Sequence, residues 1–231
     1  MRTFIFFLAM AAVAAAQPGA NYVLELPDVA VRPGESYRVA CRVPVAAQLQ
    51  LTVTGEGRSL YTRERGGVPP RKWVEWEMRT PHETSLDAWP QRVNIALTIS
   101  NAAKEPVNAI FVLQRQPEKS LRRSDPLDQF DRTGFDPNPA QPPKSTSGIL
   151  RFWVGVESDV NISIVPDRRD AQPVYKNEER NLGRGSHRHR WDLKGAKGVW
   201  APSGRYVAIV RCIERSTKRW QDLQTVLLRI E

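Results

Sequence analysis

Pro202-Ser203-Gly204-Arg205-Tyr206-Val207-Ala208-Ile209-Val210-Arg211-Cys212 opens on turn residues and continues as a strand. Pro202 pre-sets the backbone, Gly204 supplies any positive φ, and Tyr206 begins an inward-facing run rich in β-branched side chains. The same period of two recurs on both sides of this stretch. It shows in Tyr37 to Val43, Leu49 to Val53, Val93 to Ile99, Asn108 to Leu113, Ile149 to Val156, Val160 to Val165 and Thr225 to Ile230. Clusters such as Arg32-Pro33-Gly34, Gly66-Gly67 and Gly183-Arg184-Gly185 separate the runs. Short strands with turn signals at such intervals predict an all-β antiparallel sandwich or barrel.

Composition fits that expectation. The 231 residues are 41% hydrophobic and 26% charged, which excludes global disorder and a polytopic membrane protein and leaves room for one or two domains. Residues 115–147 differ in kind, with Pro117, Pro126, Pro137, Pro139, Pro142 and Pro143, few aliphatics and charges of both signs. Proline removes ladder donors, so this stretch is expected to stay out of the sheets and act as a semi-extended linker. Phe130 and Phe135 are its exceptions, suited to docking it onto a neighbouring domain. The linker separates residues 22–114 from residues 148–231, and the two halves repeat one order of elements. Aligning Trp76 with Trp191 and Glu77 with Asp192 gives an offset near 115 residues, the length of a duplicated domain rather than a solenoid unit.

Within the second half, an apolar strand leads to Val174-Tyr175, a Gly-x-Gly hairpin, Trp191-Asp192, Gly198 and then Pro202-Ser203-Gly204-Arg205-Tyr206. This order resembles the Ig-like domain of the bacterial flagellar hook-capping protein, a domain type that recurs at the C-termini of secreted bacterial proteins. Leu193 stands where that pattern has Gly, and Trp200-Ala201 where Val is common. The resemblance covers residues 148–231. The first half shows Asp87-Ala88-Trp89-Pro90-Gln91-Arg92-Val93 in place of the Pro-x-Gly-x-Tyr part and reads as a diverged copy. What the resemblance implies is two tandem Ig-like or fibronectin-like sandwiches with a structural or interaction role. The hook-assembly portion has no counterpart here. In the residues themselves, Trp191 is placed to bury a large apolar area and Asp192 to accept backbone N–H bonds in the following turn.

The chain starts with Arg2, an apolar run from Phe4 to Ala16, and Ala14-Ala15-Ala16 before Gln17. That is the pattern of a secretory signal peptide over residues 1–16, too short for a membrane span. The expected location is the periplasm or cell surface. The net charge is +9, and residues 148–231 carry 16 Lys and Arg against 10 Asp and Glu. Such asymmetry suits either an anionic partner or a solvated face. Cys41 and Cys212 each sit in an alternating apolar run, so a bridge between them and two buried thiols are the alternatives.

Seven tryptophans are many for this length. Trp76, Trp153 and Trp191 fit core positions, whereas Trp73, Trp89, Trp200 and Trp220 lie in turn-like or polar surroundings. With Arg188, Arg190, Lys194, Lys197, Arg205, Lys218 and Arg219 close in sequence, Trp200 and Trp220 form the leading candidate for one binding patch. His187 and His189 share a strand face, but Arg184, Arg188 and Arg190 flank them and oppose a cation. The spacing of Asp125, Asp128, Asp131 and Asp136 does not match a calcium loop. No metal or other cofactor and no catalytic constellation is expected. The sequence therefore predicts a secreted, non-catalytic structural or adaptor protein docking to another envelope or extracellular protein. The alternative is a binder of carbohydrate or anionic envelope polymer. Secretion argues against a nucleic-acid partner.

Overall fold

The computed structural model describes residues 20–81, 89–100, 108–116, 127–168 and 171–231. The expected signal peptide, His82, Pro117, Asp125 and Pro126 lie outside these residues. Fourteen strands form three antiparallel sheets. A four-stranded sheet has the order β1 (Ala20–Ala30), β6 (Arg92–Ser100), β3 (Ala47–Gly55), β4 (Arg58–Val68). A seven-stranded sheet has the order β11 (Tyr175–Leu182), β10 (Ser158–Pro166), β13 (Gly204–Glu214), β14 (Trp220–Ile230), β7 (Ile110–Gln116), β2 (Ser36–Arg42), β5 (Trp73–Arg79). A three-stranded sheet has the order β12 (Gly185–Trp191), β9 (Gly148–Val154), β8 (Gly134–Asp136). The fold is an all-β sandwich.

Side-chain alternation fixes how the sheets stack. On β13, Val207 joins a core with Leu51, Ile95 and Leu97 of the four-stranded sheet, whereas Tyr206 and Ala208 join another with Leu150 and Phe152 of the three-stranded sheet. Neighbouring residues of a strand face opposite ways, so the two smaller sheets cover opposite faces of the long one. On β14, Leu223 and Leu227 go to the first core and Val226, Leu228 and Ile230 to the second. On β7, Phe111 and Leu113 face the first core, while Ile110 and Val112 meet Leu127 and Phe130 in a third cluster. This accounts for the unbroken burial along β7 and β14, where both faces are covered.

Strand pairing repeats between the halves. In the first, β2 pairs with β5 and β3 with β4 and β6; in the second, β9 pairs with β12 and β10 with β11 and β13. Trp76 on β5 and Trp191 on β12 occupy corresponding strands. The halves meet by pairing, with β14 running antiparallel to β7 from Asp222↔Gln114 to Val226↔Ile110. One sheet therefore crosses the boundary drawn through residues 115–147.

One sequence expectation needs correction, and one open alternative is decided. The proline-rich stretch does pair. Phe135 lies opposite Leu150 in the β8–β9 ladder and is buried, as is Phe130 on a 3-10 helix at Leu127–Arg132. Further along, Ala140 N donates to Arg229 O at 2.8 Å, and Ala140 O accepts from Glu231 N at 2.8 Å. Pro137, Pro139, Pro142 and Pro143 flank the paired positions rather than occupy them, and an edge tolerates them. Cys41 and Cys212 are not bridged: both are free and buried, Cys41 in the first core and Cys212 in the second. They sit on opposite faces of the long sheet, three strand spacings or about 14 Å apart, well beyond disulfide reach.

Candidate binding surface

β12 delivers Trp191 into the second core, fully buried, and its Nε1–H donates to Lys194 O at 2.8 Å. This bond turns the chain back directly after the strand. Asp192 Oδ1 accepts Lys194 N at 3.1 Å, and Leu193 takes φ 60° with its side chain buried. A small hairpin follows, in which Gly195 N donates to Val199 O, Gly198 N to Gly195 O and Ala201 N to Leu193 O, all within 2.9 Å. Gly198, at φ 70°, occupies the left-handed position that this turn requires. Tyr206 Oη closes the loop by donating to Pro202 O at 2.6 Å, and burial pushes that hydroxyl's pKa up. Gly204 takes φ 154° where the chain enters β13.

The tip of this tied loop is apolar. Val199 is 67% exposed and Trp200 38%, two of the three large hydrophobics that stand exposed among the described residues. Lys194 Nζ lies 5.0 Å from the Trp200 ring centroid, a cation–π contact that holds the indole upright. Lys197 is exposed on the same loop, and Arg188 and Arg190 point outward from β12, the strand that leads into it.

The rest of the predicted patch lies elsewhere. Trp220 pairs with Ile213 at the far end of the β13–β14 hairpin, nine residues along β13 from Gly204. At about 3.3 Å per residue that is about 30 Å from the Trp200 loop. Trp220 is not a free indole either: it stacks on Tyr37 at 5.7 Å, and its Nε1–H donates to Ala30 O at 2.9 Å. Arg219 forks onto Glu35 at 2.7 and 3.0 Å. Lys218 remains exposed, 3.9 Å from Asp159. Trp220 and Arg219 thus join the halves, and the predicted patch divides into a free loop and an internal joint. Proximity in sequence misleads here because a long hairpin carries its turn away from its base.

That joint includes residues to which sequence reasoning gave no weight. Arg115 is nearly buried and lies 3.8 Å from Glu35 and 3.4 Å from Glu214, and its Nε donates to Trp220 O at 3.1 Å. Tyr37 Oη donates to Glu35 Oε2 at 2.7 Å. Nothing local marks Glu35 and Arg115 as a joint, since the charged partners that join them lie 80 to 184 residues away. Val199 was missed as well, although a lone aliphatic between Gly198 and Trp200 could have marked it.

The remaining candidates are anchored. Trp76 is in the first core, Trp89 packs against that core, and Trp73 donates to Asp131 Oδ1 at 3.0 Å. His187 and His189 do share a face, and it is the inner one. His187 stacks on Phe152, while His189 lies between Glu179 Oε1 at 2.5 Å and Tyr175 Oη at 2.9 Å. Among the described residues no three His, Cys, Asp or Glu groups gather as a metal site, and no helix is long and apolar enough to cross a membrane.

No protein family matches this sequence, and no curated protein does. Among solved structures it is similar to PorZ, an essential surface component of the type-IX secretion system of Porphyromonas gingivalis. There the identity is 15% and the TM-score 0.31, over 54% of this chain and 15% of that one. It is also similar to a β-glucuronidase from Parabacteroides merdae, with 13% identity and a TM-score of 0.31 over 90% of this chain and 27% of that one. The chain therefore spans about a quarter or less of these structures, and likeness at this level establishes neither activity nor partner.

Proposed function

We propose that this chain is a secreted, non-catalytic structural or adaptor protein of the cell envelope or an extracellular assembly, which docks a partner protein through the Val199–Trp200 tip. The observation that supports this is the contrast within one loop. Its backbone is tied by Trp191, Asp192 and Leu193, while Val199 and Trp200 at its tip stand exposed. Exposing Val and Trp costs solubility, and a rigid aromatic anchor is what interface hot spots use. Pre-ordering the loop lowers the entropy lost on docking. The seven-stranded sheet behind it suits an adaptor, because a load taken at the loop passes through continuous strand pairing to the first half.

The test is cross-linking from a photoreactive group at position 199 in the cell-envelope fraction of the source, at high salt. One dominant cross-linked protein, absent when Trp200→Ser is added, is the expected result. Retention on protein-free polymer that is lost with Trp200→Ser would replace the adaptor reading with polymer binding. No change with Trp200→Ser would remove the loop from either role.

A further inference from the structure

The outward face of the three-stranded sheet carries a charge pattern that folding does not account for. Alternation along β12 sends His187, His189 and Trp191 inward and Ser186, Arg188 and Arg190 outward. In the β12–β9 ladder Arg188 stands directly opposite Arg151, and Arg190 opposite Ile149. Directly opposed like charges destabilise a sheet, their Cβ atoms being about 4.5–5.5 Å apart. Arg151 has one acidic neighbour, Asp136, at 3.4 Å. Neither Arg188 nor Arg190 has an acidic partner among the described residues. Beyond Trp191 the basic groups continue with Lys194 and Lys197 in the loop.

We propose that this face, Arg151, Arg188 and Arg190 with Lys197 at its end, binds a linear acidic polysaccharide bearing carboxylates. The strip is open and solvated, so each contact is weak and screened by salt. Only a ligand that presents many charges in sequence gains affinity from it. Of the apolar side chains at its paired positions, Trp153 opposite Ser186 packs against the Leu127 and Phe130 cluster and only Ile149 is left, which suits a polyelectrolyte better than a folded protein needing an apolar anchor. Its cations follow one another at about 5–7 Å, from strand spacing and the two-residue repeat. Arginine is also the residue whose planar fork pairs with a carboxylate through two parallel bonds. This inference is independent of protein docking at Val199 and Trp200.

Titration of the chain with polygalacturonate across a salt series tests it, with neutral dextran as the control. Arg188→Gln/Arg190→Gln is expected to weaken binding by about tenfold or more and to reduce the slope of log affinity against log salt by roughly two. Asp136→Asn is expected to tighten binding several-fold by releasing Arg151. The double variant should melt at the same temperature as the parent or higher, since an opposed pair of like charges is removed. A control double, Arg63→Gln/Arg65→Gln, lowers the net charge equally at exposed positions on β4, in the four-stranded sheet that covers the opposite face of the long sheet. Equal weakening by the two doubles would reduce the effect to net charge and overturn the proposal. So would an absence of binding to polygalacturonate, or tighter binding to a single-stranded DNA of equal charge that the same arginines control.

Discussion

Glu35 is where protonation and architecture meet. Burial alone would raise its carboxyl pKa, but bonds from Arg219 and Tyr37, with the charge of Arg115 nearby, hold it below the ordinary value of 4.5. A lowered folded-state pKa means that the contact contributes in full above that value and is lost as pH falls through the lower, folded one. The joint between the halves is therefore expected to weaken on acidification below about pH 4.5. Glu35→Gln should flatten that part of the stability profile and cost about 1–3 kcal/mol at neutral pH, read from denaturant midpoints across a pH series. Cys41 and Cys212 give a second test. Burial pushes both thiols up in pKa, so neither should react with a thiol reagent in the native protein, while two should react in denaturant. The alternating runs around both cysteines already indicated burial. That they occupy opposite faces was not legible, because it depends on which strands lie between them.

β14 is the element on which both cores depend. Leu227, in the first core, is 2% exposed, and Leu228, in the second, is fully buried. Leu227→Ala and Leu228→Ala are each expected to cost about 2–5 kcal/mol. Because β14 also pairs with β7, each should lower the single denaturation midpoint of the protein rather than of one half. The inner strands were legible from their period of two, within a residue or two of β2, β3, β6, β9, β10 and β13. The outer ones were harder to read. β4 is exposed from Arg63 to Gly67, and β11 alternates Lys, Asn, Glu and Arg with little apolar signal. They lie at sheet edges, where one side of the backbone faces water and charged side chains guard against further pairing. β8 was read as linker for the opposite reason: three residues between prolines carry too short a pattern, and only Phe135 shows which way they face.

As a body, the protein is joined through its sheets rather than strung on a tether. Val207, Leu223 and Leu227 come from beyond residue 147 yet belong to the first core. Residues 148–231 expressed alone would expose these side chains together with the β14 edge that pairs with β7. That fragment is expected to be insoluble or to lack a cooperative melting transition, whereas the full chain should unfold in one transition by circular dichroism and tryptophan fluorescence alike. Two separate transitions in the full chain would show that the β14–β7 pairing contributes little. The division of the predicted patch depends on the same geometry, since the β13–β14 hairpin sets the Trp200 loop about 30 Å from Trp220.

Period-two alternation, turn residues and the Trp191-Asp192 and Pro202-Ser203-Gly204 signals were enough to indicate an all-β antiparallel sandwich or barrel and the turn after Trp191, because these are local features written within a few residues. Several properties depended instead on strand order: the fusion of the halves, the separation of the cysteines, the packing of Trp220 against Tyr37 and the exposure of Trp200. Alternation tells each side chain which of two faces it takes, but not which sheet will cover that face. That choice is made by backbone pairing between segments as far apart as Gln114 and Asp222.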